Sequence, residues 1–308
     1  MARQAVTGAL GFSGRHLTGR LLAMGDDVVN LTNHPDRRDP FGGRVPAAGL
    51  DFERPARLAA ALEGVDTLFN TYWVRFARNG LTHAAAVRNL TILFEAARTA
   101  GVRRIVHVSI ANPSPGSRLS YYRGKAQVEA ALARSGVSHA VLRPTVLFGD
   151  EPILPNAIAW LLRRLPVFGI PGDGRYGIQP VHVDDLVDLA LAAAALEDDV
   201  TWDAVGPEIY SFEELVRAIR ERVGSRARLV HLPDPVALLA AGGLGRVVGD
   251  VLLTREELEG LAGGLLVSGE LPRGERRFSD WLGESGAWLG RSYLSEVGRH
   301  FTPATARP

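Results

Sequence analysis

The stretch Thr7-Gly8-Ala9-Leu10-Gly11-Phe12-Ser13-Gly14-Arg15 decides the fold of this chain. It has the pattern TGxxGxxG, follows a strand-like run at 5–7 and opens a helical pattern at 12–24. Glycine suits such a turn because the backbone angles are closed to other residues, a pyrophosphate must approach the main chain, and the helix packs closely on the strand. The helix N-terminus then offers amide donors and its dipole to phosphates. The turn predicts a dinucleotide site, with a purely structural turn as the alternative.

Strand-like and helical runs alternate after this turn. Further strands are predicted at 28–31, 67–70, 104–108 and 139–142, and helices at 55–62, 81–99 and 121–135. Right-handed crossovers between such units build a parallel sheet that is covered on both faces. The pattern therefore predicts an α/β, Rossmann-type doubly wound dinucleotide-binding domain over residues 1–150.

The regular alternation loosens after Pro144. Residues 151–308 are expected to form a smaller, interleaved C-terminal α/β lobe for the substrate, in which residues 178–205 return to the main sheet. A helix is predicted at 156–165. The sequences SFEE at 211–214 and TREE at 254–257 read as capping boxes that open two later helices.

The composition narrows the classes of partner. The chain has 35 basic and 34 acidic residues among 308, so there is no global electrostatic case for a nucleic acid or an anionic membrane. No uncharged apolar stretch reaches about 18 residues, and the N-terminus lacks a signal-peptide pattern. We expect a cytoplasmic protein without membrane insertion that acts on a small molecule. The oligomeric state stays open, with a homodimer among the candidates.

Cysteine and histidine usage argues against a metal site. The chain has no cysteine, which excludes disulfides, thiolate ligands and a cysteine nucleophile. Its eight histidines show neither HxxxH nor HExxH spacing. We therefore expect no metal.

The residues after the second strand indicate which dinucleotide binds. A carboxylate about twenty residues beyond the glycine turn would accept the ribose hydroxyls of NAD. No Asp or Glu lies between Asp27 and Asp36; the sequence offers Thr32, Asn33 and His34 in that interval, and then Arg37 and Arg38 just beyond it. This neutral-to-basic rim favours the 2′-phosphate of NADP(H) over NAD(H), although each arginine taken singly is as readily a solvated loop charge.

A tyrosine and a lysine are spaced for proton transfer. Tyr121 and Lys125 lie at i and i+4 of a predicted helix, so their side chains share one face. An ammonium beside a phenol stabilises the phenolate, and the lysine can also hydrogen-bond a ribose. Lys125 is the only lysine among the 35 basic residues, which supports a task that arginine cannot perform. The alternative is a lysine that snorkels from a surface helix.

With these motifs the sequence resembles the short-chain dehydrogenase/reductase superfamily, in its extended or atypical epimerase/dehydratase-like branch. The resemblance spans nearly the whole chain and includes Asp51-Phe52, Gly64-Val65-Asp66, Asn89, Leu142-Arg143-Pro144-Thr145 and Val181-His182-Val183-Asp184-Asp185. It implies an adenine contact at Asp51 and an active-site role for Asn89. The expected cofactor-binding residues are Gly8, Leu10, Gly11, Phe12, Ser13, Gly14, Asn33, Arg37, Asp51, Phe52, Asn70, Lys125 and Pro144.

The segment NTYWVRF at 70–76 departs from the small-residue pattern of the superfamily. It points to an atypical subgroup, some relatives of which resemble the accessory NADPH-binding subunit of respiratory complex I or redox-sensing regulators. Tyr72, Trp73 and Phe76 follow a strand end and could either wall a substrate pocket or belong to the core. Arg75 could face a ligand or be solvated. The substrate-contact prediction comprises Tyr72, Trp73 and Arg75.

The hydroxyl that would orient the substrate is out of place. Aligned with the superfamily's strand, Ser109 lies one position early and Ile110 occupies the catalytic position. Because side chains on a strand alternate between faces, a shift of one residue could turn the hydroxyl away. Ser109, Asn112 and Ser114 each remain candidates. The catalytic prediction is Tyr121, Lys125, Ser109 and Asn89.

Three functions compete at this point. The leading one is an NADP-dependent enzyme of the oxidoreductase, epimerase or dehydratase type, acting on a small carbonyl or hydroxyl substrate with Tyr121 as general acid/base. The second is an NADP(H)-binding redox sensor or assembly and accessory protein without turnover. The third is a site in which the dinucleotide is structural and the chemistry is not redox.

Overall fold

The computed structural model describes residues 1–35, 37, 39–77, 80–295 and 297–298. Arg38, a candidate for the cofactor rim, lies outside these residues. The chain divides into two compact units. Among the described residues, the first comprises Met1–Pro144 and Leu186–Asp203, and the second comprises Thr145–Asp185 and the described part of 204–298.

The elements follow one another along the chain. The strands are β1 Arg3–Thr7, β2 Asp27–Thr32, β3 Ala47–Gly49, β4 Thr67–Asn70, β5 Arg104–Val108, β6 Ser138–Pro144, β7 Leu147–Phe148, β8 Val167–Pro171, β9 Gly177–Ile178, β10 Val181–His182, β11 Val200–Ala204, β12 Tyr210–Ser211 and β13 Arg228–Leu232. The helices are α1 Phe12–Ala23, α2 Pro55–Ala61, α3 His83–Thr99, α4 Ser120–Arg134, α5 Ile153–Arg164, α6 Val183–Ala194, α7 Phe212–Arg222, α8 Asp234–Val248, α9 Arg255–Ala262 and α10 Phe278–Ser285.

The main sheet has the strand order β11-β6-β5-β4-β1-β2-β3. Every two neighbouring strands in this order, from β6 to β3, are parallel. The order reverses between β1 and β4, so the carboxyl ends of these two strands flank the crevice where open α/β sheets bind ligands. The predicted α/β, doubly wound Rossmann-type fold is confirmed.

Apolar side chains on both faces explain why these strands lie inside the sheet. All four residues of β4 are buried, and Leu68 packs in one core with Ile105 of β5 and with Leu90 and Leu93 of α3. A strand that is covered on both faces must be apolar on both, which is what a helix-covered parallel sheet requires. The chain returns to the main sheet after α6, because β11 lies beside β6.

A buried arginine secures the sheet edge near β11. Arg104 of β5 is fully buried, and its guanidinium donates to the main-chain oxygens of Ala193 at 2.8 Å and Asp198 at 2.9 Å. These oxygens lie at and beyond the C-terminal end of α6, where the helix dipole favours a cation. Burial lowers the pKa of Arg104.

The second unit has its own apolar core and short strand pairs. Phe148, Phe212 and Phe278 are buried in it, and β8 runs parallel to β13. Ser211 and Thr254 both form the predicted capping boxes, so both helix starts are confirmed. Helix α5 begins three residues before the predicted start, at Ile153.

Candidate functional site

The glycine turn joins β1 to α1 in the shape that a phosphate requires. Gly8 has φ of +65°, in the left-handed region that favours glycine. Its N–H donates to the carbonyl oxygen of Leu31 at 2.9 Å, which ties the turn to β2. The N–H of Gly11 donates to the carbonyl oxygen of Gly8 at 2.8 Å. Both bonds fix the main chain at the carboxyl end of β1.

The third glycine lets α1 approach the turn. A Cβ at Gly14 would collide with the carbonyl oxygen of Gly8, and one at Gly11 would lie 3.1 Å from the same atom. Helix α1 starts at Phe12 with Gly11 as its N-cap and no side-chain cap. Main-chain amides and a helix N-terminus at this position fit the pyrophosphate of a dinucleotide. Leu10, Phe12 and Ser13 are half-buried around the turn.

The rim beyond β2 carries the residues predicted to meet the adenosine half. Asn33 is exposed and Arg37 is half-buried in the loop that follows β2. Asp51 follows β3 closely and lies 3.7 Å from Arg54 as an ion pair. The ring of Phe52 packs against that of Tyr72, with centroids 5.5 Å apart. Asn33 and Arg37 thus follow β2, and Asp51 and Phe52 follow β3, its neighbour in the sheet.

The end of β4 is bound to the glycine turn by a threonine. The Thr7 hydroxyl donates to Oδ1 of Asn70 at 3.0 Å and accepts from the main-chain N–H groups of Thr71 at 2.7 Å and Tyr72 at 3.0 Å. Thr71 Oγ1 donates to the carbonyl oxygen of Thr7 at 2.5 Å. Asn70, predicted to contact the cofactor, therefore lies at the switch point and holds the first residues of the atypical segment.

A histidine that sequence reasoning missed extends this network. His107 of β5 is fully buried, and its Nδ1 accepts from Nδ2 of Asn70 at 2.8 Å. Burial, and next the charge of Lys125, hold the pKa of His107 well below its usual value. The ring is therefore neutral with its proton on Nε2, and among the described residues this N–H has no hydrogen-bond partner.

Helix α4 presents the tyrosine and the lysine at the same edge of the sheet. Lys125 is 2% exposed, and its Nζ donates to the carbonyl oxygen of Val108 at 2.9 Å. Burial lowers the pKa of Lys125 to about 7, against the opposing charge of Glu129. The snorkelling alternative is wrong, because the amine lies inside the first unit.

Trp73 lies over the Tyr–Lys pair. Its ring centroid is 4.6 Å from Nζ of Lys125, and its ring meets that of Tyr121 edge-on at 5.8 Å. A Cβ on Gly124 would come within 3.0 Å of the indole, so the glycine makes room for it. His83 stacks on the same ring with centroids 5.8 Å apart. Trp73 is half-buried and also packs against the core of the first unit.

Ser109 is bonded to a carboxylate. Its hydroxyl donates to Oε1 of Glu129 at 2.5 Å, and the residue is 3% exposed. Arg143 contacts both oxygens of Glu129, at 3.1 and 2.5 Å. The hydrogen bonds to Glu129 raise the pKa of the Arg143 guanidinium. Of the other two hydroxyl or amide candidates, Asn112 has a positive φ of 55° and Ser114 is exposed.

The remaining predicted residues are Asn89, Arg75 and Pro144. Nδ2 of Asn89 donates to the hydroxyl of Tyr72 at 3.0 Å, and burial raises the pKa of Tyr72. The Arg75 guanidinium lies 5.7 Å from the ring of Phe76. Pro144 is buried at the end of β6, where its oxygen accepts from Ala111. Asn89 thus touches the atypical segment through Tyr72.

One contact that sequence reasoning missed had a readable signal. Glu129 follows Lys125 by four residues, as Lys125 follows Tyr121, so all three lie on one face of α4. No such spacing marks His83 or His107, which reach the site from a different helix and a different strand.

Comparisons with known proteins identify the kind of domain to which the first part of the chain belongs. Residues 8–158 match the family described as NAD(P)H-binding. The mitochondrial NADH dehydrogenase [ubiquinone] 1 alpha subcomplex subunit 9 of Arabidopsis thaliana is 25% identical over 75% of this chain, and the chain spans 60% of that protein. The ceramide reductase of Caulobacter vibrioides is 28% identical over 78% of this chain and 76% of that protein.

A solved structure extends the match across both units. MoeE5 in complex with UDP-glucose and NAD superposes with a TM-score of 0.71 over 95% of this chain and all of that chain, at 21% identity. At this identity the likeness shows the fold. Residues 8–158 therefore belong to an NAD(P)H-binding family, and the resemblance of the sequence to the short-chain dehydrogenase/reductase superfamily is in keeping with this match and with the shared fold. Among the described residues, no helix combines the length and the apolar character that crossing a membrane requires.

Proposed function

We propose that this protein is an NADP(H)-dependent reductase that interconverts a carbonyl group and a hydroxyl group on a small organic substrate. The observation that carries the proposal is the buried amine of Lys125, which bonds Val108 at the carboxyl end of β5 and lies one helical turn after Tyr121 on α4. The segment from Asn70 to Trp73 connects this pair to the glycine turn, because it bonds Thr7 at one end and contacts Tyr121 at the other.

The proposed chemistry divides between the cofactor and the chain. The nicotinamide, when bound, supplies or accepts the hydride. Tyr121 gives its phenolic proton to the substrate oxygen, or takes one back in the reverse direction. Lys125 holds the nicotinamide ribose, and its ammonium stabilises the Tyr121 phenolate. A lysine whose pKa is about 7 changes its charge in the range where such proton transfer is useful.

Two observations support the choice of cofactor and reaction. Asn33 and Arg37 follow β2 where an NAD-binding carboxylate is absent, which favours the 2′-phosphate of NADP(H). The Caulobacter relative is by name a reductase and aligns with about three quarters of each chain. MoeE5, whose structure contains UDP-glucose, matches this chain at the level of the fold, so it supports epimerase or dehydratase chemistry less strongly.

A second candidate is an NADP(H)-binding accessory or sensor protein without turnover. Two contacts favour it, namely the Ser109 hydroxyl bonded to Glu129 and the Lys125 amine bonded to Val108 beneath Trp73. The Arabidopsis relative is by name a subunit of NADH dehydrogenase. In this candidate the same dinucleotide binds at the same glycine turn, so binding does not distinguish the two functions.

Turnover with matched tyrosine variants does distinguish them. NADPH and NADH are titrated first, and the protein is then assayed against ketones, aldehydes and sugar nucleotides. We expect NADPH-dependent reduction of a ketone, with kcat/KM at least about 100-fold lower in Tyr121→Phe because the proton donor is gone. The neighbouring Tyr122→Phe is the control and should retain activity. NADPH binding without any Tyr121-dependent turnover would establish the second candidate instead.

A further inference from the structure

The amine of Lys125 is enclosed on two sides. Its Nζ donates to the main chain at Val108, and the indole of Trp73 lies 4.6 Å away over the ammonium. With 2% of the residue exposed, no group as large as a ribose can contact the amine while the indole keeps this position. The residue that the proposed function assigns to the ribose is therefore covered.

The indole of Trp73 is held by packing against Gly124 and His83. Gly124 stands between Tyr121 and Lys125 on α4, and a Cβ there would approach the indole to 3.0 Å. His83 stacks on the ring in near-parallel planes, 2° apart. These are dispersion and cation–π contacts, which a ligand can replace without leaving a broken hydrogen bond behind.

The covering position leaves the indole N–H unsatisfied. Nε1 of Trp73 is buried and, within the part of the chain that the structure describes, has no hydrogen-bond partner. A buried donor without an acceptor costs free energy that another position can recover. The main chain of Thr71 and Tyr72 is bonded to Thr7, so uncovering the amine requires only that the side chain of Trp73 rotate away from it.

We propose that Trp73 is a cover over Lys125, which must leave its place on Gly124 before the nicotinamide ribose can reach the amine. This inference rests on the proposed function, in which Lys125 holds that ribose. In the proposed function the pyrophosphate would meet the glycine turn and the adenosine half the residues that follow β2, so neither would need the amine of Lys125. Trp73 therefore weakens binding of the whole dinucleotide and leaves binding of its adenosine half unchanged.

Amine labelling tests the cover without any cofactor. Lys125 is the only lysine, so an acylating reagent reports on it and on the N-terminal amine alone. Peptide mass spectrometry after short pulses at about pH 10.5, where the amine is at least half neutral in both proteins, should show Lys125 acylated about 30-fold faster in Trp73→Ala than in the wild type, because the indole no longer covers it. The N-terminal amine is the internal reference, and Trp288→Ala, at a 39%-exposed tryptophan, is the matched control. Equal rates would overturn the cover.

Binding measurements show whether Trp73 blocks the cofactor site or forms one of its walls. NADP⁺ and adenosine 2′,5′-bisphosphate, which lacks the nicotinamide ribose, are titrated against the wild type, Trp73→Ala and Trp73→Phe. A cover predicts NADP⁺ affinity up to about 30-fold higher in Trp73→Ala, with an unchanged affinity for the bisphosphate. Weaker NADP⁺ binding in this variant would make Trp73 a wall and overturn the proposal. Trp73→Phe provides the same comparison if Trp73→Ala does not fold.

Movement of the ring has a direct signal. In protein carrying 5-fluorotryptophan, the fluorine resonance of Trp73 is the one missing from Trp73→Phe, among five tryptophans. We expect saturating NADP⁺ to shift this resonance and the bisphosphate to leave it in place. A stationary Trp73 resonance in a protein that binds and turns over NADPH would refute the cover alone. A shifted resonance without Tyr121-dependent turnover would refute the reductase alone.

Discussion

The two halves of the candidate site are built in different ways. The glycine turn is made of main chain, and its shape follows from Gly8, Gly11 and Gly14 within one short stretch. The Tyr–Lys pair is made of side chains, and its state depends on Trp73 and His83, which approach from elsewhere in the chain. A local motif therefore specifies the cradle completely and the catalytic pair only in part.

Dinucleotide binding therefore depends on one local turn, whereas proton transfer by Tyr121 depends on contacts with residues distant in sequence. A glycine turn that leads from β1 into α1 exposes main-chain amides at the helix N-terminus, where they can donate to a phosphate. Tyr121 and Lys125 lie on one helix face in any sequence with their spacing, yet here an indole covers the amine. The motif places the two residues, and the neighbours decide whether a cofactor can reach them.

The largest expected effect comes from breaking the main-chain half at Gly14. Gly14→Ala should lower the free energy of unfolding by about 3 kcal/mol and abolish NADPH binding, because the new Cβ meets the carbonyl oxygen of Gly8. Gly19→Ala is the control in the same helix, since its Cβ would make ordinary contact with Phe41 at 3.8 Å. It should stabilise α1 by up to about 1 kcal/mol. Urea unfolding measures the stability of the two variants, and titration measures their NADPH affinity. Equal changes in Gly14→Ala and Gly19→Ala would contradict the close packing of α1 on the turn.

An intermediate effect comes from removing the charge at the side-chain half. The pKa of Lys125 in the folded protein is about 7, below its ordinary value of 10.5, so the protonated amine destabilises the folded state. Lys125→Met should therefore stabilise the protein most below pH 7, and the gain should shrink as the pH rises from about 7 towards 10. Each pKa unit corresponds to about 1.4 kcal/mol.

Urea unfolding of the wild type and Lys125→Met at pH 6 and pH 9 measures this gain. Arg134→Met, on an exposed position of the same helix, is the control and should show the same difference at both pH values. A gain for Lys125→Met that does not change with pH would mean that the amine keeps its ordinary pKa.

The smallest expected effect is that of Arg37 on the choice between NADPH and NADH. Arg37→Ala should weaken NADPH binding by about tenfold and leave NADH binding unchanged, because only NADPH carries the 2′-phosphate. The control is Arg44→Ala, an exposed arginine of the same loop whose Nε donates to the carbonyl oxygen of Phe41. Equal losses for both coenzymes would assign Arg37 to the fold of the loop rather than to the phosphate.

The sequence predicted the strands of the main sheet closely because they are buried on both faces. The predicted strand at 67–70 is β4 without change, and that at 104–108 is β5. Strand β3 and the two-residue strands of the second unit were not predicted, since three or fewer residues carry no readable period. Their positions follow from pairing with partners distant in sequence.

The candidate site was predictable where it is local. Gly8 to Gly14 and the Tyr121-Lys125 spacing are visible in the sequence because each depends on one turn or one helix. Ser109 was a candidate for the substrate hydroxyl, but only the fold shows its bond to Glu129. That contact joins β5 to α4, and no sequence rule sets which side chains meet there.

The sequence by itself determined five strands of the main sheet, the glycine turn and the shared face of Tyr121 and Lys125. These features depend on local backbone preferences, hydrophobic period and helix geometry, all of which act over a few residues. Only the tertiary structure decided that Trp73 lies on Gly124 and that Lys125 is buried with a pKa of about 7. Burial and cation–π contact are properties of packed neighbours, which no single stretch of chain contains.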